Sequence, residues 1–250
     1  MGLSAPFDLS PLAAIWMAFA CFGAAFVRGY SGFGFAALVV SAASLVTDPL
    51  HAVAVVILAD IFLTALQARS IWRHIDWRRA GYLFIGCLAG VPVGVWAIST
   101  IGTDPARAAI SVFILIMCFV LWRGFRFTVQ PGAAAHTGIG VVSGLANGAA
   151  VGGLPVAAFF AAQTIPAAAF RATTIAYFTA LDLWTLPNML LAGMFSAQTV
   201  VATAWALPFM LAGLALGSRR FHATSPAEFR RFAILLLAVL SVLGLLRAAL

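Results

Sequence analysis

Ten apolar stretches separated by short polar or Gly/Pro-rich punctuation fill this chain, at roughly 11–28, 31–47, 51–69, 80–99, 105–122, 137–147, 151–165, 168–193, 197–217 and 231–249. A helix needs about 20 residues to cross the hydrocarbon core of a bilayer. Several stretches reach that length and predict transmembrane helices. The stretches 137–147 and 151–165 are too short to cross alone, so they predict half-helices or a re-entrant hairpin. The stretches 11–28 and 31–47 are long enough to be read as full spans. Pro49, Pro105, Pro166 and Pro226 sit at or near stretch starts, where a missing N–H costs a helix little. The expected fold is an all-α polytopic membrane protein of roughly 8–10 membrane segments.

Two Gly-rich breaks interrupt the apolar pattern at corresponding places. One is Arg28-Gly29-Tyr30-Ser31-Gly32-Phe33-Gly34; the other is Asn147-Gly148-Ala149-Ala150-Val151-Gly152-Gly153-Leu154-Pro155. Lipid supplies no hydrogen bonds to an unwound backbone, so irregular chain at membrane depth must be buried in protein or line a polar cavity. A pair of such breaks in two halves points to a transporter's binding site.

Other markers repeat in the same order. Leu88-Ala89-Gly90-Val91-Pro92-Val93-Gly94 reappears as Leu211-Ala212-Gly213-Leu214-Ala215-Leu216-Gly217. Asp104-Pro105-Ala106 is matched by Ser225-Pro226-Ala227, and Asp48-Pro49-Leu50 by Ile165-Pro166-Ala167. The halves 1–130 and 131–250 are therefore expected to be two transmembrane repeats forming one membrane domain. Small-residue periodicity from close helix packing produces part of this pattern as well.

Arginine placement adds orientation. Arg69, Arg73, Arg78 and Arg79 mark one loop as cytoplasmic under the positive-inside rule. Arg123 with Arg126 marks a second, and Arg219, Arg220, Arg230 and Arg231 a third. The loops around 102–104 and 193–196 carry no positive residue and are expected outside, as are both termini. Loops that correspond by the repeat then fall on opposite sides, which predicts inverted topology.

Composition supports a membrane class and removes several others. The chain is 64% hydrophobic and 8% charged, against about 25% charged in soluble domains. Its net charge of +7 comes from arginine, with no lysine. That charge lies between apolar stretches, so it reads as a topology signal and not as a nucleic-acid surface. Cys21, Cys87 and Cys118 stand singly inside apolar runs, with no metal or disulfide spacing. His51, His74, His136 and His222 are scattered and pair with no carboxylate at catalytic spacing. The N-terminus has no signal-peptide pattern, so the first apolar run is expected to stay. No cofactor or metal is expected. The partners are the lipid bilayer and a small anionic substrate, and a homo-oligomer is compatible with the composition.

The two breaks resemble the motifs of the TauE/SafE family of sulfite exporters. Gly29-Tyr30-Ser31-Gly32-Phe33-Gly34 is similar to the family's opening motif. Gly140-Val141-Val142-Ser143-Gly144, followed by Val151-Gly152-Gly153-Leu154-Pro155-Val156, is similar to the second, and Arg171-Ala172-Thr173 to its continuation. The second motif reads Gly-Gly-Leu-Pro where the family often has Gly-Gly-Pro-Pro, and Phe35-Ala36-Ala37-Leu38-Val39 lacks the further glycines and proline of many members. The resemblance implies export of sulfite, sulfoacetate or a related small sulfur anion across the bacterial inner membrane. It does not come from composition or spacing.

An oxyanion site needs N–H donors, positive potential and close backbone approach. Gly32, Gly34, Gly152 and Gly153, with Ser31, suit that role at half-helix starts; Tyr30, Ser143 and Asn147 can add side-chain bonds. Close helix crossing is the other use of such glycines. Arg28 is either an anion ligand or an interfacial arginine snorkelling to headgroups. Arg171 suits a vestibule or topology role. Asp60 and Asp182, each in mid-span, are candidate proton-coupling carboxylates, or packing residues in which a carboxylate is neutral or paired with arginine. Gln67, Gln163 and Asn188 read as helix–helix hydrogen-bonding residues. Trp72, Trp77 and Trp122 suit an interfacial belt, and Trp184 core packing. A passive anion channel of the same architecture is the first alternative to a carrier by alternating access. A membrane-embedded enzyme would need a cluster of acids, bases or ligands that this sequence does not offer.

Overall fold

Prolines and short polar caps start the long helices where the punctuation lies. Ser10 precedes α1 (Pro11–Ser31), and its hydroxyl accepts the Ala13 N–H. Asp48 precedes α3 (Pro49–Ile71), accepts the Leu50 N–H and receives a bond from the Thr103 hydroxyl. Asp76 caps α4 (Trp77–Thr100) through the Arg79 N–H. Each side chain satisfies a first-turn donor that the helix cannot. The remaining helices are α2 (Phe35–Ala43), α5 (Thr103–Arg123), α6 (Ala133–Asn147), α7 (Gly153–Ala161), α8 (Ala167–Leu191), α9 (Ala197–Arg220) and α10 (Pro226–Ala249). This computed structural model describes residues 6–220 and 226–249. His222 and Ser225, and the side chains of Arg220, Arg230 and Arg231, lie outside the described residues.

The protein is all-helical, with no strand among the described residues. Among the described residues, five helices are long and apolar enough to cross a membrane: Pro11–Ser31, Pro49–Arg69, Trp77–Thr100, Thr103–Arg123 and Ala197–Arg219. Helix α8 has comparable length but carries Arg171 and Asp182. Large apolar side chains such as Leu12, Phe19, Trp96 and Leu191 face outward, and Trp72, Trp77 and Trp122 are exposed beside the arginine-bearing helix ends.

The stretch 31–47 is not a full span. Gly32 and Gly34 take left-handed φ values of 81° and 86°, which glycine adopts without a Cβ penalty. Helix α2 then runs for only nine residues, about 14 Å at 1.5 Å per residue. Ser44–Thr47 turn back on its last carbonyls before Asp48. Helix α7 is also nine residues long, as its stretch predicts. In both cases the chain doubles back after the break. The Trp16 indole N–H near the start of α1 reaches the Ala42 carbonyl at the end of α2, at 3.0 Å. The Phe127 N–H, just upstream of α6, reaches the Ala162 carbonyl at the end of α7, at 2.8 Å.

Small residues set the tightest packing. On α4, Gly86 and Gly90 lie against the backbone of α6 at Gly140 and Gly144, and Gly94 against Leu145 and against Gly148 just past the end of α6. On α9, Gly213 and Gly217 lie against the backbone of α1 at Phe22 and Phe26, and Gly29 returns the contact to Leu214 and Ser218. The opening helix of each half thus packs on the fourth helix of the other half. Helices α3 and α8, and α5 and α10, also pair across the halves. This brings the middle of α3 and the middle of α8 together beside both breaks.

Candidate functional site

Arg28 lies one turn before the C-terminus of α1 and is 2% exposed. Its Nε donates to Asp60 Oδ1 at 2.6 Å and its Nη2 to Asp60 Oδ2 at 3.2 Å. Nη2 also donates to Thr64 Oγ1 at 2.5 Å, and Nη1 to Gln67 Oε1 at 2.7 Å. The fork geometry is that of a bidentate arginine–carboxylate pair, which holds orientation as well as charge. Arg28 therefore does not snorkel to an interface. Asp60 is thus ion-paired with arginine within the apolar stretch.

Asn147 occupies the same place at the end of α6. Its Nδ2 donates to Asp182 Oδ1 at 3.0 Å and to Thr185 Oγ1 at 2.8 Å. Each half therefore presents one polar side chain at its break, holding a carboxyl in the following long helix and a threonine one turn later. The halves differ in charge, with a guanidinium in the first and a neutral amide in the second. Asp60 and Asp182 are 6% and 5% exposed and line the same cavity, close enough for their charges to interact.

These groups surround a cavity of about 40 Å³, enough for roughly three water-sized groups. Of the ten residues the sequence nominates, Arg28, Gly32, Gly34, Asp60, Asn147, Gly153 and Asp182 line it together. The first turns of α2 and α7 open onto it through Phe35, Ala36 and Ala37, and through Gly153 and Leu154. First-turn amides lack partners inside their own helix and favour anions; of those named, the Leu154 N–H is taken by the Val151 carbonyl at 3.2 Å. Phe33, Phe35, Phe178 and Leu181 supply apolar wall.

Tyr30, Ser31 and Gly152 do not line the cavity. Tyr30 is buried. The Ser31 hydroxyl donates to the Val27 and Phe33 carbonyls and so shapes the first break. Gly152 packs against Asn147, and its carbonyl accepts the Ser143 hydroxyl at 2.7 Å. Tyr177 donates to Ser143 in turn at 2.9 Å, so that Tyr177, Ser143 and Gly152 form a chain that fixes the second break. Arg171 donates to the Gly29 carbonyl at 2.8 Å and touches Gly32, tying α8 to the end of α1. Gln163, just past the end of α7, bonds the Phe159 carbonyl of that helix, Asn188 bonds the Trp184 carbonyl within α8, and Trp184 reaches the Leu88 carbonyl on α4.

Thr64, Thr185 and Phe178 were not singled out by the sequence. Thr64 stands four residues after Asp60 and Thr185 three after Asp182. That shared helix face was the available signal. Ala150, at φ 56° in the second break, gives no sequence signal for its left-handed conformation.

A family model described as Sulfite exporter TauE/SafE matches residues 17–243. The chain belongs to the TauE/SafE sulfite exporter family. Among curated relatives, it is similar to the probable sulfite/organosulfonate exporter TauE of Cupriavidus necator, with 29% identity over 215 residues covering 81% of this chain and 82% of that one. It is also similar to the probable inner membrane transporter protein TsaS of Comamonas testosteroni, with 29% identity over 190 residues covering 73% and 78%. No solved structure matches. The resemblance carried by the two breaks is thus confirmed at family level, and this TauE/SafE member is a multi-pass membrane transporter. Both of its family motifs end at the same cavity.

Proposed function

We propose that this transporter exports a small sulfur-containing anion, sulfite or an organosulfonate such as sulfoacetate, across the bacterial inner membrane. The observation that carries the reading is the convergence of both Gly-rich breaks, one buried arginine and two carboxyls on one small cavity. The names of the two relatives favour the substrate class and the membrane. The anion would take the first-turn amides of α2 and α7 and the Arg28 guanidinium, with Gly32, Gly34 and Gly153 allowing backbone approach. Asn147 would bond from the opposite side, and Tyr30, Ser31 and Gly152 would shape the breaks.

The mechanism proposed is alternating access by two inverted repeats, 1–130 and 131–250, rocking about the cavity. The exchanged packing of α1 on α9 and α6 on α4 supports the duplication, and the arginine-bearing loops support the inversion. The two doubled-back helix pairs, α1–α2 and α6–α7, would enter from opposite faces, with α6–α7 re-entrant. Asp60 and Asp182 would couple transport to protons. The outward apolar surface suits lipid and also a second copy of the chain.

Sulfite efflux from proteoliposomes, with sulfoacetate, thiosulfate and sulfate as competitors, tests this reading. Saturable flux that sulfoacetate inhibits is the expected result. Non-saturating flux would favour a channel, and no flux of any of these anions would remove the substrate assignment.

A further inference from the structure

The site holds three ionisable groups that its fold forces together: Arg28 from α1, Asp60 from α3 and Asp182 from α8. Arg28 engages Asp60 through both oxygens, so that pair is internally neutral. Asp182 Oδ1 accepts from the Asn147 amide, which also donates to the Thr185 hydroxyl oxygen. Two adjacent buried carboxyls repel when both are charged and settle by holding a proton between them. Few other charges bear on the pair. Tyr177 lies nearby on α8, with Cys87 of α4 behind it, and Arg171 stands beside Arg28. Among the lining residues, α2, α6 and α7 contribute no titratable side chain.

Charge then decides how an anion enters. With one proton on the carboxyl pair, Arg28 is balanced and the cavity is neutral overall, so the guanidinium fork is already occupied by Asp60. A monoanion entering alone would leave a net negative charge among buried side chains, Arg28, Asp60, Asn147 and Asp182, an arrangement that low dielectric penalises. A second proton on the pair removes that penalty and releases Arg28 to the anion. No bond other than the O–H of a carboxyl forms or breaks.

We propose that Asp60 and Asp182 share one proton across the interface of the two halves, and that a second proton joins them when the substrate anion binds, so that anion and proton occupy the site together. The inference rests on the sulfur-anion reading for its second part and is independent of it for the first.

Two measurements on the full-length protein in detergent separate these parts. Infrared difference spectra without any anion should show the C=O stretch of a protonated carboxyl at neutral pH, and Asp182→Asn should remove it. No such band in the wild type would overturn the shared proton, whether or not the variant folds. Calorimetry with methanesulfonate, a monoanion at every working pH, run in buffers of different ionisation heat, should show uptake of about one proton per anion bound. Affinity should rise up to about tenfold per unit fall in pH. With sulfite, the wild type should take up about one proton more than Asp182→Asn. Methanesulfonate binding without proton uptake would overturn the joint occupancy. If the band is present and neither anion binds, the shared proton stands and the substrate assignment fails, taking the joint occupancy with it.

Discussion

Arg28 is the residue on which the site's charge balance turns. Its guanidinium supplies bonds to Asp60, Thr64 and Gln67 at once, and removing one member of a buried pair leaves an uncompensated charge at a cost of about 3–5 kcal/mol. Arg28→Ala should therefore lower the thermal unfolding midpoint sharply and abolish anion flux. Arg28→Lys keeps the charge but not the planar fork, so it should recover more of the stability than of the flux. Tryptophan-fluorescence melting and vesicle efflux on the two variants check both statements, and full flux in Arg28→Lys would sink the role assigned to the fork. These charged residues were legible because an ionisable side chain in an apolar stretch stands out. Thr64 and Thr185 did not, because threonine in a span commonly bonds the carbonyl one turn back, as Thr174, Thr179 and Thr203 do here. Nothing in the sequence separates the two that also meet Arg28 and Asn147.

Helix lengths and helix contacts come from different features of the sequence, and only part of each was readable. Helix α7 could be recognised as short because Gly and Pro bound its stretch on both sides. Helix α2 could not, since Ser44–Thr47 continue the apolar run after the helix has ended, and hydropathy does not mark an end inside an apolar loop. The repeated Leu-Ala-Gly segments were visible as a pattern, but their partners were not. Gly90 meets the α6 backbone at Val141 and Leu145, while Gly213 meets the α1 backbone at Phe22 and Phe26. A Cβ at either position would overlap backbone atoms that have no freedom to move aside. Gly90→Ala and Gly213→Ala should each lower the melting temperature. Gly81→Ala, where a Cβ meets nothing within 4 Å, should leave it unchanged or raise it, because alanine favours a helix by about 1 kcal/mol over glycine. Equal effects at all three positions would mean that intrinsic propensity dominates over packing.

For the molecule as a whole, the proposed inversion of the repeats and the proposed pairing of anion with proton make separate predictions. Cys21, Cys87 and Cys118 are buried, so probes can be placed at exposed positions near helix ends. An impermeant maleimide applied to intact cells should label Ala197→Cys and spare His74→Cys until the membrane is opened. Labelling of both from outside would remove the inverted topology. The transport cycle is constrained by charge. An empty site holds Arg28 positive against one net negative charge on the shared carboxyl pair. A site loaded with a monoanion and a second proton is again neutral. Neither reorientation step then moves net charge, so a membrane potential, worth about 2.3 kcal/mol per charge per 100 mV, should leave methanesulfonate flux unchanged while a pH gradient changes it. In Asp182→Asn the empty site remains neutral but the loaded one carries the anion's charge uncompensated. That variant should move the anion more slowly, and its residual flux should respond to a potassium-diffusion potential and not to pH. Potential-driven flux in the wild type would show that the anion travels without its proton, and would leave the carboxyl pair a structural device that joins α3 to α8.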